Sequence, residues 1–186
     1  MVRHVTYAMG MSLDGYIAGP DGRFDWSAPD DEVFAFCTDQ IRAVGTHLMG
    51  RRLYETMLYW ETAEDNPALS PLEREFAVLW KRIPKVVFST TLASVEGNAR
   101  LGSGLAEEIE RLRADSGAGD IAIGGATLAH EAAAMDLIDE YQPRIHPVLA
   151  GGGTPFFPHQ RQVRLDLVES RIFDSQVVCL RYRVLR

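Results

Sequence analysis

Cysteine is scarce in this sequence: Cys37 and Cys179 are the only two among 186 residues. A disulfide framework normally needs more of them in a shorter secreted chain, and two thiols so far apart make no zinc motif. Both read as buried thiols of a reducing compartment. Positive charge is also in short supply, with 19 Lys and Arg against 26 Asp and Glu and a formal net charge of −7. Nucleic acid and anionic membranes both call for a basic surface, so neither is expected as a partner; a small basic pocket for a phosphorylated ligand stays open. No apolar run approaches the ~18 residues of a membrane span. The stretch from Met1 to Met11 lacks the charged-then-apolar pattern and the cleavage site of a secretory signal. A cytoplasmic protein is expected. Repeats, low-complexity tracts and a convincing linker are missing too. The histidines His4, His47, His130, His146 and His159 have no ligand spacing, so no metal site is expected. His146 stands out among them, on a strand just before a Gly-rich loop.

What is present suits one globular domain over residues 1–186: 46% hydrophobic and 24% charged residues at a length that can bury a sizeable core. Val2 to Met11 reads as a buried strand, broken at Asp14-Gly15 and resumed at Tyr16-Ile17-Ala18. Gly19-Pro20-Asp21-Gly22 is a turn. Val33, Cys37, Ile41 and Val44 fall near one face of a helix over Asp30 to Val44. His47 to Met49 reads as a strand ending at Gly50, with a helix from Arg51 to Met57 and a loop from Tyr59 to Ala68. Ser70, Pro71 and Glu73 form a capping-box start for a helix running to about Arg82. Lys85 to Ser89 and Asp120 to Ile123 read as strands, each with a helical segment nearby: Leu105 to about Gly117, and Ala126 to Met135. Tyr141 to Leu149 reads as an irregular or edge strand because of Pro143 and Pro147. Ala150 to Pro158 is a Gly-rich loop. Val163 to Ser170 and Gln176 to Leu185 alternate like an antiparallel pair turning at Phe173-Asp174-Ser175. Strand–helix repeats followed by a hairpin imply an α/β fold, a mostly parallel sheet flanked by helices with an antiparallel edge.

Ligands of such sheets bind beyond the carboxyl ends of the strands. Three ends here carry suggestive residues. Gly50 lets a ligand approach the backbone, and Arg51 and Arg52 follow with guanidiniums suited to phosphate. The hydroxyls of Ser89, Thr90 and Thr91 can bind a phosphate or simply close a turn. Ile123-Gly124-Gly125-Ala126-Thr127, at the head of a helix, can cradle a pyrophosphate. It is not the six-residue Rossmann fingerprint, since Leu128 stands where the last glycine should fall. Each end also has an ordinary reading as a turn or a close packing point, but the three together describe NADPH better than NADH.

Hydride transfer to a C=N bond also needs a proton. Asp31, at the start of a helix after Trp26 and expected to be partly buried with a raised pKa, could pass one through water. The plainer reading of Asp30 and Asp31 is helix capping. Trp26 and Phe34 could wall a site against water. Asp14 reads as a turn residue, with substrate binding as the alternative.

Met11-Ser12-Leu13-Asp14-Gly15-Tyr16-Ile17-Ala18, Leu48-Met49-Gly50-Arg51, Phe88-Ser89-Thr90, Ile123-Gly124-Gly125 and Gly151-Gly152-Gly153-Thr154-Pro155-Phe156-Phe157 span nearly the whole chain. Together they resemble the dihydrofolate reductase superfamily, and in particular the reductase domain of the riboflavin deaminase–reductase family. The resemblance implies a dihydrofolate-reductase-like fold and NADPH as cofactor. Gly50, Arg51, Ser89 and Thr90 would then lie on the 2′-phosphate side, with Gly124, Gly125, Ala126 and Thr127 at the pyrophosphate. It makes Asp31 the acidic residue at the head of the first helix and Trp26 the tryptophan before it. A homodimer is implied, with the Gly151 loop near the contact or the active-site rim. Two departures bear on the substrate. Ile123 stands where the riboflavin reductases carry Glu, and Ile83-Pro84-Lys85, with Arg82 one place off, stands where dihydrofolate reductases have an arginine. The zinc deaminase motif is absent. The substrate expected is a small nitrogen heterocycle, either pterin- or dihydrofolate-like or the 5-amino-6-ribosylaminouracil phosphate of riboflavin biosynthesis. The alternatives are a non-catalytic nucleotide- or pterin-binding protein and a reductase using a flavin-type cofactor.

Overall fold

The computed structural model describes residues 3–159 and 162–186, so Val2 lies outside the described residues. In chain order the strands are β1 (Val5–Ser12), β2 (Tyr16–Ala18), β3 (Val44–Gly50), β4 (Lys85–Phe88), β5 (Ala99–Gly102), β6 (Asp120–Gly124), β7 (Glu140–His146), β8 (Thr154–Pro155), β9 (Leu165–Ile172) and β10 (Val178–Val184). The helices are α1 (Asp31–Arg42), α2 (Arg51–Met57), α3 (Tyr59–Thr62), α4 (Pro71–Arg82), α5 (Leu105–Ala114) and α6 (Ala126–Ala134), with short 3-10 turns at Asp25–Ser27 and Ala63–Asp65. Eight strands form one sheet in the order β5-β4-β3-β6-β1-β7-β10-β9. Pairing is parallel from β5 through to β7 and antiparallel for β7–β10 and β10–β9. β2 and β8 make a separate two-stranded pair.

Alternation along the strands divides the core between the two faces of the sheet. On one face Val5, Tyr7, Leu48, Ile121 and Ile123 meet α5 through Leu105, Ile109 and Leu112, and α6 through Leu128, Ala129 and Ala132. On the other, Met49 and Val87 meet Tyr54 of α2 and Phe76 and Trp80 of α4. The first half of α1 packs by Val33 against Phe173, Val177 and Cys179 of the C-terminal hairpin. Burying each large side chain contributes about 1.5–3 kcal/mol.

The helix starts follow local chemistry. Asp30 caps α1 by accepting the Val33 N–H at 2.8 Å. Ser70 Oγ accepts the Glu73 N–H at 3.2 Å while Glu73 Oε2 accepts the Ser70 N–H at 2.9 Å, which completes the capping box. Four sequence expectations are corrected. Val44 opens β3 instead of closing α1, because the chain turns at Ala43. The stretch expected as a loop from Tyr59 to Ala68 contains α3 and a 3-10 turn, held by packing of Trp60 on Phe34 and Phe76. The Gly-rich loop expected from Ala150 to Pro158 contains β8, a two-residue strand paired with β2, while β5, for which the sequence gives no expectation, is a four-residue edge strand.

The fourth correction concerns β7, an interior strand between β1 and β10 despite Pro143. Its pairing with β1 runs unbroken from Thr6↔Glu140 to Ser12↔His146. Its ladder with β10 lapses between Arg144 and Tyr141, where a proline has no N–H to offer.

Candidate active site

The strands that end at Gly50, Phe88 and Gly124 are neighbours in the order β4-β3-β6. Gly50 pairs with Phe88, and Met49 with Gly124. Arg51 and Arg52, then Ser89 and Thr90, then Gly125, Ala126 and Thr127 therefore leave the sheet side by side. Arg51 and Arg52 are exposed, and Arg51 Nε has only a loose contact with Glu55 Oε1 at 3.9 Å. Ser89 Oγ accepts the N–H groups of Thr91 at 3.2 Å and Leu92 at 3.1 Å, so this hydroxyl first of all closes a turn. Thr90 is exposed.

Gly125 has φ +90°, a conformation that favours glycine, and a Cβ there would project into open space. It caps α6 without a side chain of its own, so the first-turn N–H groups of the helix are left uncapped. Ala126 is buried and Thr127 exposed, while Ile123 is 1% exposed and belongs to the core at the border of the cleft.

Beside these ends a cleft of about 640 Å³ opens between α1 and the sheet. Its floor carries the small side chains of Thr6 and Ala8 on β1 and Ala122 on β6. Phe24, Asp25, Ser27, Ala28 and Pro29 border one end, and Trp26 between them is not part of the lining. Phe34, Cys37 and Ile41 of α1 line it from above, and Leu53, Met57, Trp60, Phe76 and Trp80 form an aromatic and aliphatic wall. Behind that wall Lys85 is buried, with Nζ donating to the Trp80 carbonyl at 2.7 Å and pairing with Glu61 Oε1 at 2.8 Å. Burial depresses the Lys85 pKa, and Glu61 opposes that shift.

His47, on the same side, is stripped of water, and its pKa falls to about 4; a backbone hydrogen bond at Leu48 opposes the shift and the charge of Lys85 adds to it. The imidazole is therefore neutral near pH 7. Among the described residues, His47 Nδ1 and Trp80 Nε1 have no hydrogen-bond partner. The opposite end of the cleft is polar. Gln40 Nε2 donates to Gln142 Oε1 at 3.1 Å, and Gln40 Oε1 accepts from Arg144 Nη1 at 3.4 Å. Arg181 donates to both oxygens of the buried Glu140, at 2.7 and 3.1 Å.

The residues expected at the substrate end separate. Phe34 lines the cleft and packs on Phe76 (centroids 5.2 Å) and Trp60 (5.9 Å). Trp26 is half-buried in the 3-10 turn, its ring 6.0 Å from that of His146. Asp31 is exposed, not partly buried, and is not part of the cleft lining, because it sits with Glu32 on the outer side of the first turn of α1 while Val33 takes the inner side; Asp30 takes the capping role beside it. Asp25, by contrast, does line the cleft.

Asp14 is engaged elsewhere. Its carboxylate accepts the N–H groups of Ala150 at 2.9 Å and Gly151 at 2.8 Å, and with Ser12 these bonds lower its pKa. Asp14 thus clamps the Gly-rich loop, in line with its turn reading, and is not among the residues that line the cleft. The residues that the sequence reading passed over are His47, Trp60, Phe76, Trp80, Gln40, Gln142 and Arg144. A signal existed for the last two: Glu140, Gln142, Arg144 and His146 alternate as polar residues on one face of a strand.

This architecture defines the class of protein as a dihydrofolate-reductase-like α/β domain. Dihydrofolate reductase from Enterococcus faecalis, complexed with NADP(H) and RAB-propyl, superimposes with a TM-score of 0.67 at 15% identity over 100% of both chains. RibD from Acinetobacter baumannii superimposes with a TM-score of 0.70 at 19% identity, over 99% of this chain and 58% of that one. The profile of the family described as RibD C-terminal domain matches residues 3–179, and the chain belongs to that family. The uncharacterized protein YyaP of Bacillus subtilis (strain 168) is 31% identical over 97% of this chain and 94% of its own length. No helix among the described residues is long and apolar enough to cross a membrane.

Proposed function

We propose that the protein is an NADPH-dependent reductase of a small nitrogen heterocycle, of the pterin or dihydrofolate type or a ribosylaminouracil of the riboflavin pathway. One observation carries this reading: the three glycine-, arginine- and hydroxyl-bearing strand ends lie on adjacent strands, and Ile123 and Leu53, next to two of those ends, line a cleft large enough for a ring system. The residues fit the cofactor. Gly125 leaves its outer face open, and the uncapped N–H groups of α6 suit a pyrophosphate. Gly50 leaves similar room, and Arg51, Arg52 and Thr90 remain available to an adenosine 2′-phosphate. Membership of the family and the NADP(H) named for the Enterococcus enzyme support the same cofactor.

Bound NADPH supplies the hydride. The chain's own part is to hold the heterocycle flat between Ala8, Ala122 and Phe34, and to exclude water with Phe34 and Trp26. Asp31, exposed at the head of α1, passes a proton by way of water. The cleft is lined by Asp25 rather than by Asp31, and that makes the test pointed. Asp31→Asn is expected to lower turnover at least about tenfold with NADPH affinity unchanged. Unaltered turnover removes Asp31 from the reaction and shifts the proton to Asp25. The reading as a whole is tested by titrating the protein with NADPH and NADH. Selective binding of NADPH is expected; binding of neither turns attention to a non-catalytic pterin- or nucleotide-binding role or to a flavin-type cofactor.

A further inference from the structure

We propose that His146 is a positioning residue of this site: its uncharged imidazole seats the turn Asp25–Ser27 at one end of the cleft, and a proton on that ring lifts the turn. The proposal rests on the reductase reading for the cleft being the place of reaction. The seat itself is argued from the packing around His146.

The register of the sheet places the ring. Thr6 and Ala8 of β1 line the cleft, and so do Gln142 and Arg144 of β7. Ala8 lies beside Gln142, Gly10 beside Arg144 and Ser12 beside His146. Side chains two apart share a face, so His146 continues the row of Gln142 and Arg144 toward the carboxyl ends of the strands. There it is buried, only 5% exposed. Gly10 makes room for it: a Cβ at that position would lie 3.2 Å from His146 Nε2 and 3.4 Å from the Ser27 Cβ. The Trp26 ring meets the imidazole edge-on, with centroids 6.0 Å apart. His146, Trp26 and Ser27 thus close together over β1, next to Asp25 and Ala28 at the border of the cleft.

The turn is built to move as a unit. The Ser27 N–H donates to the Phe24 carbonyl at 2.9 Å, Ser27 Oγ donates to the same carbonyl at 2.7 Å, and the Ala28 N–H donates to the Asp25 carbonyl at 3.2 Å. Asp25 pairs with Arg23 at 3.1 Å, and both are exposed. These bonds hold the turn together without tying it to the sheet, so its packing on His146 and Gly10 sets where it rests. It carries Trp26, which excludes water in the proposed reaction, and Asp25, the second candidate for the proton.

The charges around His146 make the seat sensitive to acid. Arg144 acts on the ring from its own strand and Asp30 from the cap of α1. Trp26 and Ser27 of the turn, Gly10 and Ser12 of β1, and Val177 and Val178 leading into β10 are uncharged. Loss of water lowers the His146 pKa, Arg144 adds to that shift and Asp30 opposes it, so the ring is uncharged near pH 7. Asp30 stays ionised below pH 7, since bonds from the Val33 N–H and the Ser175 hydroxyl lower its own pKa. A ring that refuses a proton under the closed turn takes it up more readily in water. Acid therefore favours the lifted turn.

The test follows amide exchange and the imidazole resonances of the intact protein at pH 7 and pH 5, a range in which His47, at about 4, stays largely uncharged. After correction for the intrinsic effect of pH, the Ser27 and Ala28 amides are expected to exchange at least about threefold faster at pH 5, in step with the titration of the His146 ring, while α4 is unaffected. His146→Phe keeps a ring beneath Trp26 but takes no proton, so these amides are expected to exchange slowly at both pH values. His146→Ala removes the seat, and fast exchange is expected at both. His146→Gln, also uncharged, takes the place of His146→Phe if that variant does not fold. Equal exchange at the two pH values in the parent, an acid effect that survives in the uncharged variant, or His146→Ala as slow as the parent at pH 7 overturns the proposal. NADPH binding is measured alongside. NADPH binding without acid release of the turn overturns the seat and leaves the reductase reading standing. Acid release that depends on His146, without NADPH binding, supports the seat and removes the reductase reading.

Discussion

A histidine in water titrates near pH 6.5, whereas His47 in the cleft wall titrates near 4. Between those two values the unfolded chain holds a proton that the folded one refuses, so acid favours unfolding. The stability due to neutral His47 is complete above pH 6.5 and is lost as pH falls toward 4, a change on the order of 2–3 kcal/mol. Urea midpoints measured at pH 7 and pH 4.5 are expected to differ less in His47→Leu than in the parent; an equal difference means another group is responsible. Arg51 is argued at the same scale. Its guanidinium is exposed and held only loosely by Glu55, so it can read the one phosphate that distinguishes NADPH from NADH. Arg51→Ala is expected to weaken NADPH about tenfold and NADH little. Equal weakening of both denies Arg51 that role. The residue type and its place after Gly50 were legible in the sequence. The neutrality of His47 was not, because it comes from burial and from Lys85, a residue 38 positions further along the chain.

Among the elements, those whose signals are local could be read directly. The capping box fixes the start of α4, and Gly50 fixes the end of β3, since each depends on neighbours a few residues away. β5 and β8 depend on a partner strand, and their own four and two residues carry too little pattern to announce them. β7 misleads for a related reason: a proline usually marks an edge, but here its missing N–H coincides with a lapse in one ladder. The loop after β7 shows how distant elements are joined. Gly151, Gly152 and Gly153 all have φ between 73° and 139°, and a Cβ on Gly153 would strike the Ala18 carbonyl oxygen. Asp14 holds this loop against the turn after β1. Asp14→Ala is expected to accelerate amide exchange at Ala150 and Gly151 by about tenfold or more, with α4 unaffected. Unchanged exchange means the glycine geometry alone keeps the loop in place.

At the scale of the molecule, one buried pair, Lys85 at the start of β4 and Glu61 in α3, ties the sheet to the helix that carries Trp60 of the cleft wall. Removing one partner leaves the other charge buried alone, so Lys85→Met is expected to cost about 3–5 kcal/mol in a urea titration. Lys85→Met combined with Glu61→Leu is expected to recover most of that loss. A double variant no better than the single one would mean the lysine acts by packing. The sequence by itself determined the α/β class, the family resemblance, the helix caps and the three candidate strand ends, because each of these is written in short-range pattern and residue type. Only the tertiary structure decided that the ends lie together, since the order β4-β3-β6 joins strands far apart in the chain. It alone decided that Asp14 clamps a loop and that Asp31 faces solvent. It alone left a space under α1, because a cavity is made by the small side chains of one element failing to fill what another covers, and that relation has no local signature.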